Sequence, residues 1–136
     1  MQFVIKNWYL FIALGVVLYL LVVPMLRQRL AGIRSLNPTE AIQLINRENG
    51  MVVDVCEPQE FAAGHVVRAL NIPLSNLKAR VTELEKYRDR PIILACRSGN
   101  RSLKAAFELH RAGFAKVHSL AGGLMAWQNA NLPVEK

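Results

Sequence analysis

The chain opens with an unbroken apolar run and then changes rhythm. From Trp8 to Leu26 (WYLFIALGVVLYLLVVPML) there is no charge, amide or hydroxyl except the tyrosine phenols. As a helix this run would span about 28 Å, close to the hydrocarbon thickness of a bilayer. Trp8 and Tyr9 sit at one end, where interfacial aromatics belong, and Pro24 lies near the other. A signal peptide has a shorter apolar core and small residues before its cleavage point. Here the run leads straight into Arg27-Gln28-Arg29, so an uncleaved transmembrane anchor is the expectation. The apolar character goes all the way round, which argues against a half-buried helix of a soluble domain.

After the run, apolar positions come in short groups separated by turn residues. Asn37-Pro38-Thr39-Glu40 supplies an N-cap, a proline for the first turn and an acid at N3, predicting a helix through Ala41–Ile45. Asn49-Gly50 is a turn, and Met51–Val55 reads as a buried strand. Pro58–Ala63 predicts a short helix ending at Gly64; Ala69–Ile72 predicts a strand stopped by Pro73. Leu74–Tyr87 is mixed and partly helical. Pro91–Ala95 is the next buried strand. Ser102–Ala112 has an amphipathic pattern, with Leu103, Ala106, Phe107 and His110 as its inner face and Gly113 at C′. Lys116–Leu120 reads as a last strand, and Gly122-Gly123 opens a helix containing Met125 and Trp127. Short apolar strands alternating with helices predict an α/β fold with a parallel sheet flanked by helices, preceded by one transmembrane helix. The expected division is an anchor and short linker over residues 1–32 and a folded domain over residues 33–136.

Charge adds an orientation. The formal net charge is +7, and Lys6 is the one charged residue before Arg27, leaving +6 for the rest. Arg27, Arg29 and Arg34 follow the span with no acid until Glu40, so the positive-inside rule places the C-terminal side in the cytoplasm. The expectation is a single-pass protein of the cell (inner) membrane, holding the lipid bilayer through residues 8–26. The basic residues are scattered, with no long block and little aromatic interleaving, so nucleic acid is not an expected partner. The two cysteines, Cys56 and Cys96, are too few for a disulfide-stapled secreted fold. With the three histidines dispersed, no metal site and no cofactor are expected.

Chemistry concentrates in "CRSGNRS", residues 96–102. A strand ends at Cys96, a tight loop follows, and a helix starts near Ser102. In parallel sheets, sites gather at the carboxyl ends of strands. The backbone N–H groups of Arg97, Ser98, Gly99, Asn100, Arg101 and Ser102 can curl around the sulfur as an anion-binding nest on a helix N-terminus. Gly99 permits the left-handed turn that such a nest needs. Arg97 and Arg101 add positive charge. All of this favours thiolate, so Cys96 is expected to be nucleophilic.

At these residues the chain resembles the rhodanese-like domain family. "VVDVCEPQEFAAGHVVRALNIPL" is similar to that family's first signature, "ILACRSGNRS" to its active-site loop and "LAGGLMAW" to its closing helix. The likeness runs from about residue 33 to residue 133. It implies that Cys96 accepts sulfane sulfur from a small anionic donor such as thiosulfate. The persulfide then passes sulfur to cyanide or to a thiol or protein acceptor. Arg97–Ser102 would bind the persulfide and donor. Four residues separate Cys96 from Arg101, one fewer than in related dual-specificity phosphatases. The tighter loop suits one sulfur atom better than a phosphate.

Two departures stand out. The family often has arginine at the position of Cys56, and glycine at that of Arg68, which would compensate for the lost charge. Cys56 ends a strand near that of Cys96, which makes it a candidate resolving thiol for a Cys96 persulfide or sulfenate. Asp54, His65 and Asn71 are expected to order loops rather than to react. A second reading keeps the same fold as a binding module that recruits a membrane protein or cytoplasmic partner at the bilayer, with weak or no catalysis.

Overall fold

In the computed structural model, residues 1–30 and 33–136 are described, with residues 27–30 described by backbone alone. The linker expected just before Ile33 includes Ala31 and Gly32, which lie outside the described residues. The chain divides into two compact units, Met1–Ala31 and Gly32–Lys136.

The first unit is helical. A short helix α1 (Gln2–Lys6) ends at Asn7, whose side-chain amide donates to the Phe3 carbonyl at 2.9 Å. Helix α2 (Trp8–Leu30) contains the apolar run and continues four residues past it, with Pro24 inside. Nothing in Arg27-Gln28-Arg29-Leu30 breaks a helix, since arginine, glutamine and leucine are all good helix formers. Trp8–Leu26 has a mean hydropathy of 2.6 and none of it is buried. Its length and composition suit a membrane span, and they suit a signal sequence equally.

The second unit is built on a five-stranded parallel sheet of order β1-β6-β5-β2-β4. Strand β1 (Arg34–Leu36) leads to α3 (Pro38–Glu48), which starts as its sequence dictates. The Asn37 side chain accepts from Glu40 N–H at 2.8 Å, and Glu40 accepts from Asn37 N–H at 3.3 Å. Strand β2 (Met51–Asp54), α4 (Pro58–Ala63), β3 (His65–Val66) and β4 (Leu70–Asn71) follow. The segment Leu74–Tyr87 is mostly 3₁₀, with one α-turn, α5 (Leu77–Arg80). Strand β5 (Ile92–Ala95), α6 (Asn100–Arg111), β6 (Val117–Leu120), α7 (Gly123–Asn129) and β7 (Val134–Glu135) complete the chain. Strands β3 and β7 form a separate antiparallel pair.

Strands β2 and β5 occupy the middle of the sheet and are buried on both faces, as expected for near-continuous apolar runs. Ile93 and Ala95 pack with Val52, Ala41, Leu36, Leu120 and Trp127 in one cluster. Residues of the opposite parity, Val53 and Leu94, are equally inaccessible. The β2–β5 register pairs Asp54 with Ala95, so both strands stop at the same edge of the sheet. That edge carries Cys56 and Cys96.

The predicted inner face of α6 needs correction. Ser102, Ala105, Ala106 and Leu109 are buried, whereas Leu103, Phe107 and His110 are only half-buried. The helix begins at Asn100, two residues before the expected start, and is turned by one residue about its axis. Ser102 faces inward to bond the loop and β6, and this turns the Ala105 and Leu109 side into the core. Strands β1, β3 and β7 were also not foreseen. They are two or three residues long, and most of their positions lack an alternating pattern.

Candidate functional site

The site starts from β5. Its last residue hands the chain to Cys96, which is 1 % exposed. The loop then turns back through Gly99 at φ +103, in the left-handed region, and α6 begins at the next residue. This reversal points N–H groups at the sulfur: Gly99 N–H donates to Cys96 Sγ at 2.9 Å. The first-turn N–H groups of α6 have no intrahelical acceptor and carry the positive end of the helix dipole.

Ser102 ties the loop to the sheet. Its hydroxyl lies 3.6 Å from Cys96 Sγ, donates to the Gly99 carbonyl at 2.9 Å and shares a 2.8 Å hydrogen bond with Ser119 of β6. In the thiol form the Cys96 S–H donates to Ser102. In the thiolate form the hydroxyl can donate to the sulfur only by giving up its bond to the Gly99 carbonyl. Burial by itself raises the Cys96 thiol pKa. The pKa is lowered nonetheless, because the Ser102 N–H and hydroxyl and the Gly99 and Ser98 N–H groups stabilise the anion.

The two arginines act differently from the expectation. Arg101 forms a two-point pair with Glu60, at 2.7 and 3.0 Å, and Arg97 Nε reaches the same carboxylate at 3.1 Å. Both guanidinium groups pair with Glu60, which offsets one of their two charges, and the direct partners of the thiolate are amides and a hydroxyl. Glu60 is held down to about 2, first by Arg101 and then by the Glu57 N–H. Sequence reasoning passed over Glu60, although it is also the N3 residue of the α4 capping box, with Glu57 N–H donating to it at 3.1 Å. It also passed over Ser119. A serine inside the predicted strand that follows the Cys96 strand was the available signal.

The closing helix completes the loop. Leu124 N–H donates to the Cys96 carbonyl at 2.7 Å and Met125 N–H to the Arg97 carbonyl at 3.2 Å. Gly123 (φ +58) lies so close to the Cys96 and Arg97 backbone that a Cβ would overlap it. Asn100 is exposed at the head of α6.

Cys56 stands at the neighbouring strand end. Its N–H donates to Asp54 Oδ1 at 2.8 Å, and the Asn71 amide donates to the Asp54 and Cys56 carbonyls at 3.0 and 2.9 Å. Asp54 and Asn71 therefore organise this turn. Burial, followed by the Asp54 charge, pushes the Cys56 thiol up to about 12. Both thiols are free. Val55 N–H donates to the Ala95 carbonyl at 2.9 Å, so Val55 rather than Cys56 comes level with Cys96. The Arg68 backbone N–H, at φ +65, is bonded to Glu135, and His65 stacks on Phe61 with Nδ1 2.7 Å from the Phe61 carbonyl.

The parallel sheet thus ends one strand on a cysteine and wraps it in the amides of a helix-opening loop. The chain belongs to the rhodanese-like domain family, which matches residues 37–130. It is 36% identical to the uncharacterised protein YibN of Escherichia coli (strain K12), over 98% of this chain and 94% of that one. It is 33% identical to the thiosulfate sulfurtransferase GlpE of Pseudomonas putida, over 75% of this chain and 90% of that one. A crystal structure of a rhodanese-related protein from Thermoplasma volcanium matches at TM-score 0.68 and 32% identity, covering 75% of this chain and 97% of that one. The α/β fold is thus the rhodanese fold, and sulfurtransferases are among its relatives.

Proposed function

We propose that this protein is a sulfurtransferase in which Cys96 carries sulfane sulfur as a persulfide. The observation that carries the reading is a buried sulfur ringed by N–H donors, with Gly99 N at 2.9 Å. Such a cradle favours an anion on one sulfur atom. The Cys96 thiolate attacks the outer sulfur of a donor such as thiosulfate. The donor S–S bond breaks and sulfite leaves with the electron pair. Cyanide or an acceptor thiolate then attacks the outer sulfur of the persulfide, releasing thiocyanate or a new persulfide and restoring the thiolate. Arg97, Ser98, Gly99, Asn100, Arg101 and Ser102 form the binding loop. Cys56 as a resolving thiol is the less supported part, because a thiol held protonated is a poor nucleophile.

Residues 8–26 are proposed to anchor the chain in the inner membrane, with residues 1–32 as anchor and linker and 33–136 as the cytoplasmic catalytic domain. The exposed apolar helix and the cations after it support this. It also keeps open recruitment of a membrane partner.

The test is sulfur loading of the full chain in detergent. Intact mass should rise by one sulfur with a sulfane donor, cyanide should discharge it as thiocyanate, and Cys96→Ser should abolish it. A folded protein with reduced Cys96 that gains no sulfur overturns the reading in favour of the binding module. Protease treatment of intact spheroplasts tests the topology: the domain should stay protected and membrane-bound. A shortened, soluble product would identify α2 as a cleaved signal.

A further inference from the structure

We propose that a cavity at the amino-terminal edge of the parallel sheet, opposite the edge that carries Cys96, binds a glycerol phosphodiester, the chemistry of a phospholipid headgroup. This site is separate from the sulfur chemistry and does not depend on it.

The fold sets its place. Arg34 starts β1, Pro91 precedes β5 and Lys116 precedes β6, and these three strands are neighbours in one parallel sheet. Their amino ends share one edge, whereas Cys96 follows the carboxyl end of β5. Helix α3 returns the chain to the amino edge, where β2 begins beside Pro91. Glu40, Gln43, Leu44, Arg47 and Glu48 have the three- and four-residue spacing that puts them on one stripe of α3. Stripe and strand ends enclose a cavity of about 580 Å³, with Arg34, Arg47, Lys116 and His118 in its lining. That volume lies within the range of small-molecule sites.

Charge defines the ligand. Three cations line the cavity together with two carboxylates, Glu40 and Glu48, an excess of one positive charge. Arg34 and Glu40 pair at 3.5 Å with both side chains well exposed. Arg47 has no ion-pair partner among the described residues. Lys116 Nζ donates to the Asp89 carbonyl at 3.2 Å and keeps two N–H groups for a ligand. A phosphodiester carries one negative charge and matches this excess; a phosphate monoester carries nearly two at neutral pH.

His118 supplies an uncharged donor beside Arg34, its partner in the β1–β6 register. Burial, and then the Arg34 charge, lowers its pKa, so the ring is neutral at pH 7. Its Nδ1 is sealed from solvent and unpartnered among the described residues. A proton there would be a stranded donor, so Nε2 carries it and offers it to an acceptor. The carboxylates and the Gln43 amide remain as partners for headgroup hydroxyls, and Leu36, Leu44 and Pro91 give the glycerol carbons an apolar wall.

Two sources carry this chemistry. Arg34 follows Leu26, the end of the apolar run, by eight residues, at most about 28 Å of extended chain. An anchored chain would keep lipid headgroups within that tether, whereas a soluble glycerophosphodiester needs no anchor.

The experiment titrates the full chain in neutral detergent with dioctanoyl phosphatidylglycerol and with glycerophosphoglycerol, the same headgroup without acyl chains. Calorimetry reads affinity, and the His118 ring signals in proton NMR read occupancy of this cavity. One molecule of at least one probe should bind saturably and shift the His118 signals. Arg47→Gln and Lys116→Gln should each weaken binding about fivefold, the effect of one elementary charge about 4 Å away in high dielectric. Both side chains are exposed, so neither substitution threatens the fold. Lys78→Gln on α5 and Arg27→Gln beside the apolar run should leave affinity within about twofold, because neither residue lines the cavity. Tighter binding of the lipid assigns a membrane source, and equal or tighter binding of the soluble diester assigns a free one; both support the proposal. No saturable binding of either probe overturns it. So do unmoved His118 signals, an affinity unchanged in Arg47→Gln and Lys116→Gln, or an equal loss in all four variants.

Discussion

Replacing Ser102 with alanine would test how the thiolate is stabilised. The hydroxyl is 3.6 Å from Cys96 Sγ and is itself held by Gly99 and Ser119. A hydrogen bond to an ionised group contributes about 1.5–3 kcal/mol, and a long bond to sulfur belongs at the lower end. About 1.4 kcal/mol corresponds to a tenfold change in thiolate population below the titration midpoint. The assay is the rate of Cys96 alkylation by iodoacetamide as a function of pH. Ser102→Ala should react about tenfold more slowly near pH 6, and the two curves should converge at alkaline pH, where both proteins are ionised. Cys56 does not interfere, because its thiol stays protonated through this range. The backbone N–H of Ser102 survives the substitution, as do those of Ser98 and Gly99, so the thiol should remain more acidic than a free cysteine. Arg97→Gln is the contrasting variant. Its guanidinium is paired with Glu60, so alkylation should change less than in Ser102→Ala. An equal slowing of Ser102→Ala at every pH would mean lost access rather than lost thiolate. An unchanged profile, or a larger change in Arg97→Gln, would refute the assignment of thiolate stability to amides and hydroxyl.

Gly123→Ala should destabilise the domain by about 2–4 kcal/mol, combining overlap with the Cys96 and Arg97 backbone and a left-handed φ, as read by urea denaturation. Asn71→Ala removes two amide donors from the Asp54 and Cys56 carbonyls and should cost about 1–3 kcal/mol in the same assay. In Cys96→Ser protein, Cys56 should resist a thiol reagent at pH 7 while folded and react on unfolding; prompt reaction in the folded state would contradict its protonated, buried setting. Because the Cys56 pKa is raised from an ordinary value near 9 to about 12, the folded state holds its proton longer than the unfolded state. Its contribution to stability is therefore intact below about pH 9 and falls as pH rises from there, which urea midpoints compared with Cys56→Ser would show.

Sequence alone determined the elements whose signals are local. The capping box at Asn37 and Glu40, the glycine turn at Gly99, the C′ position of Gly113 and the glycine pair that opens α7 each need only a few adjacent residues. The buried strands β2 and β5 were legible because both faces are covered and the runs are apolar throughout. Cys96 was legible because a cysteine at a strand end, before a glycine-containing turn and a helix, is itself a local pattern.

Tertiary structure decided what depends on separated segments. Strand β1 exists through its pairing with β6, and β3 through its pairing with β7, so their own two or three residues hold little signal. Helix α6 is rotated by its anchorage to Ser119, a residue on another strand. Most consequential is Glu60, which lies 41 residues before Arg101 and yet pairs with both loop arginines. Counting charges along the chain assigns those cations to the thiolate. Only the folded arrangement shows that they face a carboxylate, because Coulomb attraction follows distance in space and not distance in sequence.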